Sequence, residues 1–211
     1  MRDVMYVRCQ IPADALRCTV RFWLLCDASP DGGILIQAYS GYERKDGSWS
    51  CQLLCAKSLL CPKGWTTPQA ELHALSSLAN LAHILQSILD DWIEIMRCGS
   101  DSTIAICWTV YEKVRLHVFH RLRVANIRSK TDMNELYHVA GKLNISDTGT
   151  RPDLLKPEHL LPGSEWLCGK EWMRMSVDDA VSSGAIKSVK DIKLVTKLKE
   201  SLRKVLYWTA A

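Results

Sequence analysis

Four acidic residues stand at positions where carboxylates are unusual: Asp27, Glu71, Asp101 and Asp147. Asp27 closes an apolar run, Val20-Arg21-Phe22-Trp23-Leu24-Leu25-Cys26. Glu71 falls in the expected first turn of a helical pattern opened by Pro68-Gln69-Ala70, and Asp101 follows the run that begins at Trp92. Asp147 lies in a polar loop. Burying a carboxylate without a partner is costly, and several converging at one sheet edge repel one another. A divalent cation relieves that repulsion. Mg²⁺ prefers oxygen ligands and keeps part of its water shell. Two such ions about 3.5–4 Å apart activate a water and stabilise the leaving oxygen of a phosphodiester. About four carboxylates from separate elements serve that chemistry, which accounts for their wide spacing. Each acid also has a local reading: Asp27 as a turn former in Asp-Ala-Ser-Pro, Glu71 as a helix-dipole partner, Asp101-Ser102 as an N-cap, and Asp147 as an ordinary loop acid.

The elements that must position these acids follow from pattern. Residues 20–26 read as a buried strand. Ser29-Pro30-Asp31-Gly32-Gly33 and Lys45-Asp46-Gly47 are turn sequences separating strands expected at Ile34–Tyr39 and Trp49–Ser58. Leu72, Leu75, Ala79, Ala82, Leu85 and Leu89 recur at helical spacing, predicting a long helix to about Leu89. A fourth strand at Trp92–Cys98, a short helix at Ser102–Tyr111, a basic helix at His117–Arg128 and a fifth strand at Leu136–Val139 follow. Asp147–Arg151 reads as a polar turn that can open a last helix. The order β-β-β-α-β-α-(α)-β-(α) implies an α/β (mixed α+β) fold. Its five-stranded mixed sheet contains an antiparallel β1-β2-β3 meander, with flanking helices and a C-terminal helical extension.

Composition bounds the class. The chain has 211 residues, 47% hydrophobic and 24% charged, values of a folded globular protein. A net charge of +4 permits a polyanionic partner without demanding one. Nine cysteines, with no CxxC and mostly in apolar runs, fit a reducing intracellular compartment. Cys51, Cys55 and Cys61 match no standard zinc spacing. The start MRDVMYVRCQIPADAL lacks the apolar core of a secretion signal. No run reaches membrane-spanning length, so no membrane partner is expected.

With these residues in place, the chain resembles the ribonuclease H domain of BEL/Pao-type retroelement polyproteins. The matching text is Leu25-Cys26-Asp27-Ala28-Ser29, Ala56-Lys57-Ser58, Thr67-Pro68-Gln69-Ala70-Glu71-Leu72, Ser100-Asp101-Ser102 with Trp108, and His138-Val139-Ala140-Gly141-Lys142-Leu143-Asn144 followed by Asp147-Thr148-Gly149-Thr150-Arg151-Pro152. Trp166 to Trp172 resembles the Trp-rich segment that follows that domain, and the resemblance spans roughly residues 5–175. It implies a ribonuclease H-like fold and a site of Asp27, Glu71, Asp101 and Asp147 holding two Mg²⁺ or Mn²⁺. It implies hydrolysis of the RNA strand of an RNA–DNA hybrid during reverse transcription, with 3′-hydroxyl and 5′-phosphate products. Asp27 would bridge both metals, Glu71 and Asp101 would complete the site of the attacking water, and Asp147 would hold the second metal. Asn144-Ile145-Ser146-Asp147 departs from the family's Asn-Pro-Ala-Asp, which makes Asp153 a competing fourth acid. Gly169-Lys170 replaces the usual Gly-Pro.

Substrate contacts are expected from Ser29, Ser102, Arg121, Arg123 and His138. The arginines, with Arg115 and Arg128, form a basic cluster suited to phosphates, or equally a solvated helix face. Hybrid recognition reads 2′-hydroxyls in the minor groove. His138 stands near the position of a product-release His in the family, or is a hydrogen-bonded core residue. Trp65 and Trp108 read as core. The expected division is a lead-in at 1–20, a ribonuclease H-like domain at 21–155, a Trp-containing extension at 156–176 and a basic amphipathic helical tail at 177–211. Adjacent reverse transcriptase and integrase regions of a parent polyprotein are the expected partners. The chain reads as a fragment of such a polyprotein or a detached copy. The alternative is a catalytically inactive remnant that only binds nucleic acid or serves as a structural module.

Overall fold

The computed structural model describes residues 19–111, 116–151, 153 and 156–192. Twelve regular elements follow in order: β1 (Val20–Ser29), β2 (Gly33–Glu43), β3 (Trp49–Leu59), α1 (Thr67–Leu89), β4 (Ile93–Ser100), α2 (Thr103–Val110), α3 (Val118–Lys130), β5 (Leu136–Val139), α4 (Ser146–Thr150), α5 (Glu165–Cys168), α6 (Val177–Ser182) and β6 (Ile186–Ser188). They build one six-stranded sheet of order β3-β2-β1-β4-β5-β6. β1-β2 and β2-β3 are antiparallel, β1-β4 and β4-β5 parallel, and β5-β6 antiparallel. This mixed sheet with its flanking helices is the expected α/β (mixed α+β) class.

β1 is central and covered on both faces, which is why its sequence is almost continuously apolar rather than alternating. Val20, Phe22, Leu24, Cys26 and Ala28 face one core, with α1, α2 and α3. Trp23 and Leu25 face a second core, shared with Tyr39, Tyr137, Trp172, Met173 and Ile186. α1 packs over β1 and its neighbours β2 and β4. Its buried stripe of Ala70, Leu72, Ala74, Leu75, Leu78, Ala79, Ala82 and Leu85 mixes large with small residues, and the small ones allow close approach to the sheet. A capping box between Thr66 and Gln69 and a proline in the first turn fix where α1 begins.

Three expectations are corrected. The sheet has six strands, not five: β6 adds to the edge of β5 within the region read as a helical tail. Its Ile186 is fully buried, so it supplies a strand residue to the second core, and the Gly184 turn (φ 77°) ends α6 before it. Residues 193–211 of that tail lie outside the described residues, as do positions 1–18 of the lead-in. Asp27 does not end β1 but lies inside it, paired with Leu35 of β2. Glu71 is the fifth residue of α1, past the first turn, because the helix starts at Thr67.

The second core depends on the segment after residue 156. Trp172 is 3% exposed and packs edge-on against Trp23 at 4.8 Å between ring centroids. Its Nε1 donates to the Leu143 carbonyl at 3.2 Å. The Tyr39 hydroxyl donates to the Trp166 carbonyl at 2.9 Å. These contacts seat the extension on the face of the sheet that also carries α4.

Candidate active site

The four acids come from different elements. Asp27 is on central β1, Asp101 directly follows β4, which is parallel to and adjacent to β1, and Glu71 is near the start of α1. Asp147 is the second residue of α4. Parallel pairing of β1 with β4 brings Cys26 beside Ser100, so Asp27, within β1, and Asp101, just past β4, lie at the same end of the parallel pair.

Their mutual electrostatics record the convergence. Burial raises the Asp27 carboxyl above its usual range, and the Asp147 charge adds to the rise, against the Thr150 hydrogen bond and the Arg151 charge. Burial likewise raises Glu71, with Asp101 and Asp27 adding to it and the Ser102 bond opposing. Asp101 is pushed up to about 6, first by burial and then by Asp27, with Asp147 contributing.

Each carboxylate has its own donor. Ser102 Oγ donates to Glu71 Oε2 at 2.5 Å while accepting from Ala105 N as the N-cap of α2. Asn144 Nδ2 donates to Asp101 Oδ1 at 3.2 Å and to the Cys26 carbonyl at 3.0 Å. The Thr150 hydroxyl donates to Asp27 Oδ2. Arg151 pairs with Asp147 Oδ1 at 2.8 Å. Among the described residues, no three His, Cys, Asp or Glu side chains stand close enough to hold a metal ion in this arrangement. The donor chemistry nevertheless fits one. All four groups are carboxylates, the hard-oxygen set that Mg²⁺ and Mn²⁺ take, and three are raised by burial and, in part, by one another.

Three of the four donors, Asn144, Thr150 and Arg151, lie in one short stretch with Asp147. A buried polar chain holds that stretch. Asn144 Oδ1 accepts from Ser146 N at 3.3 Å, Ser146 Oγ donates to Gln37 Oε1 at 2.9 Å, and Gln37 Nε2 donates to the Tyr39 hydroxyl at 3.2 Å. Asn144, Ser146, Gln37 and Tyr39 are each nearly or wholly buried, so every link is made away from water, where an unmade bond is expensive. Close approach seals the contact. A Cβ on Gly149 would press into Leu35 and the Trp166 ring, and one on Gly32 would collide with the Thr150 carbonyl.

The remaining expected contact residues are placed as follows. Ser29 Oγ accepts from Gly32 N at 3.3 Å within the β1–β2 turn. Ser102 is bound to Glu71. His138, on β5 beside Ser100, is half-buried, and burial lowers its pKa while the Asp101 backbone opposes the shift. Arg121 is exposed on α3. Arg123 is turned to α1 and the loop before it, lying 3.5 Å over the Phe119 ring and 5.4 Å from that of Trp65 and donating to His73 Nδ1 at 3.2 Å. Arg128 donates to the Thr109 carbonyl at 2.6 Å. Trp108 is buried and Trp65 partly buried against the first core. Arg115 lies outside the described residues. Asp153 is exposed and is not among the charges that act on Asp27, Glu71 or Asp101. The supporting roles of Gln37, Ser146, Thr150 and Arg151 were not foreseen from sequence. The available signal was Gln37, an amide within an otherwise apolar strand.

The mixed sheet thus places the acids of β1 and of the β4 end, Asp27 and Asp101, near one end of its central parallel pair. Over residues 2–102 the chain matches the model of the Pao retrotransposon-like RNaseH-like domain, a segment that contains Asp27, Glu71 and Asp101 but ends before Asp147. Among solved structures the chain is similar to RNase H1 from the halophilic archaeon Halobacterium salinarum NRC-1. That match has 15% identity and a TM-score of 0.33, covering 59% of this chain and 89% of that one. No curated protein matches the chain in sequence.

Proposed function

We propose that this chain is a retroelement ribonuclease H that hydrolyses the RNA strand of an RNA–DNA hybrid with two Mg²⁺ or Mn²⁺ ions. The observation that carries the reading is that carboxylates from β1, α1, the end of β4 and α4 act on one another's charge, with Asp27 coupled to the other three. Asp27, Glu71, Asp101 and Asp147 are the proposed ligands. Asp27 feels the charge of Asp147 and itself acts on both Asp101 and Glu71, which suits the residue shared between two ions. When bound, the ions activate the attacking water and stabilise the leaving oxygen. The chain's own part is placement. Asn144 holds Asp101 to the end of β1, Ser102 fixes Glu71 against the start of α2, and the buried chain through Gln37 holds α4. A hybrid partner, exposed cations such as Arg121 along its backbone, and a polyprotein setting beside reverse transcriptase and integrase regions belong to the same proposal.

The test is cleavage of a labelled hybrid with Mn²⁺, alongside double-stranded DNA and single-stranded RNA. Loss of the RNA strand from the hybrid alone, abolished in Asp27→Asn, is expected. An intact hybrid at high enzyme concentration overturns the active form of the proposal. A second reading, hybrid binding without turnover, is favoured by the engagement of every acid with a donor of the chain itself. It predicts salt-sensitive binding and no products.

A further inference from the structure

Asp147 differs from the other three acids in what it is bonded to. Glu71, Asp101 and Asp27 accept from neutral groups: the Ser102 hydroxyl, the Asn144 amide and the Thr150 hydroxyl. A neutral donor satisfies a lone pair and leaves the negative charge in place. Among the described residues, Asp147 is the one acid of the four in an ion pair, with Arg151 at 2.8 Å and one helical turn on. The Arg151 charge also acts on Asp27. One cation of the chain therefore serves the two acids on the side of the site nearest α4.

We propose that Arg151 is a built-in counter-cation, an occupant of the Asp147 carboxylate that a divalent ion must displace, so that it sets how readily the α4 side of the site takes a metal. The inference rests on the proposed metal-binding role of the four acids. Exposure makes displacement feasible: the Arg151 side chain is 61% exposed against 27% for Asp147. The guanidinium can swing into solvent without disturbing a core, whereas the carboxylate is held by α4. The same exposure limits the size of the effect, because exposed ion pairs are weak. Freeing Asp147 is expected to tighten ion binding by about two- to fivefold. The metal-free protein thereby carries less unbalanced negative charge than four acids alone would impose.

The test is Mn²⁺ binding to the full chain by titration calorimetry, for the unmodified protein, Arg151→Gln, Asp147→Asn and the double variant. Thermal unfolding with and without Mn²⁺ is the second readout. Arg151→Gln is expected to bind Mn²⁺ about two- to fivefold more tightly. Its melting temperature should fall slightly in chelator and rise further on adding Mn²⁺, and Arg151→Lys should lie between. In the Asp147→Asn background the Arg151→Gln effect should shrink to the smaller part that acts through Asp27. Unchanged or weaker binding by Arg151→Gln overturns the inference. So does an effect of equal size in the Asp147→Asn background, since that is the general field of a nearby charge. Either outcome leaves the nuclease reading standing. Failure of both the unmodified protein and Arg151→Gln to bind Mn²⁺ at millimolar concentration instead overturns the metal site itself.

Discussion

The two sides of the candidate site are built differently. Asp27, Glu71 and Asp101 ride on long regular elements: β1 spans 10 residues, α1 spans 23 and β4 spans 8. Asp147 rides on a helix of 5 residues, too short to be stable by itself. Its place comes from tertiary bonds: the Asn144–Ser146–Gln37–Tyr39 chain, the close packing at Gly149 and the extension behind it. One side is fixed by backbone hydrogen bonding. The other is fixed by side chains from elements far apart in sequence, and should be the easier to displace.

The largest expected effect is at Asp27, the residue common to both sides. Asp27→Asn should lower hybrid cleavage by on the order of a thousandfold while hybrid binding, read by fluorescence anisotropy, is kept. Retained cleavage would break the idea that Asp27 joins the two sides.

Trp172→Ala should destabilise the protein by about 3–5 kcal/mol, read by urea denaturation. Hydrogen exchange should then quicken around residues 143–151 before it does so in α1. Uniform quickening would mean that the extension supports the whole sheet and not the Asp147 side in particular.

Gly149→Ala forces a Cβ into Leu35 and Trp166 and should cost about 1–3 kcal/mol. Because it moves α4, cleavage should fall by more than the loss of folded protein explains. Parallel loss of activity and folded fraction would show that α4 does not position a working group.

The smallest effect is a gain. The Asp101 carboxyl sits at about 6 against an ordinary 3.8, so the folded state holds its proton more tightly than the unfolded state. That contribution favours folding below the ordinary value and is lost as pH rises towards about 6. Asp101→Asn should therefore stabilise the metal-free protein at neutral pH by about 1 kcal/mol, roughly 2–4 °C in Tm. The gain should shrink as pH is lowered through that window, while activity is lost. No gain in chelator would show that burial and the neighbouring Asp27 charge do not penalise the ionised Asp101.

The regular side was legible in the sequence because its signals are local. An apolar run, a proline and a 3.6-residue repeat located β1, α1 and β4 to within a few positions, and Asp27, Glu71 and Asp101 stood beside these elements. β5 was placed at Leu136–Val139, as observed. The other side was not legible, because its logic is long-range. Nothing near Gln37 announces a partner at Ser146, 109 residues away, and Thr150 reads as a loop residue until β1 is placed beside it. β6 was missed because three residues carry no periodicity and the lysines around them fit a helical pattern equally well. Asp27 looked like the end of a strand because a carboxylate interrupts an apolar run. The backbone continues through it, because ladder bonds to β2 do not depend on the side chain.

The most direct measurement is crystallography of Mn²⁺-soaked protein with anomalous scattering. Two Mn²⁺ peaks are expected, one touching Asp27, Glu71 and Asp101 and one touching Asp27 and Asp147, with Arg151 moved off Asp147. Full soaking with no peak at Asp27, or ions bound without any of the four carboxylates, would contradict the assignment of these acids as a nuclease metal site.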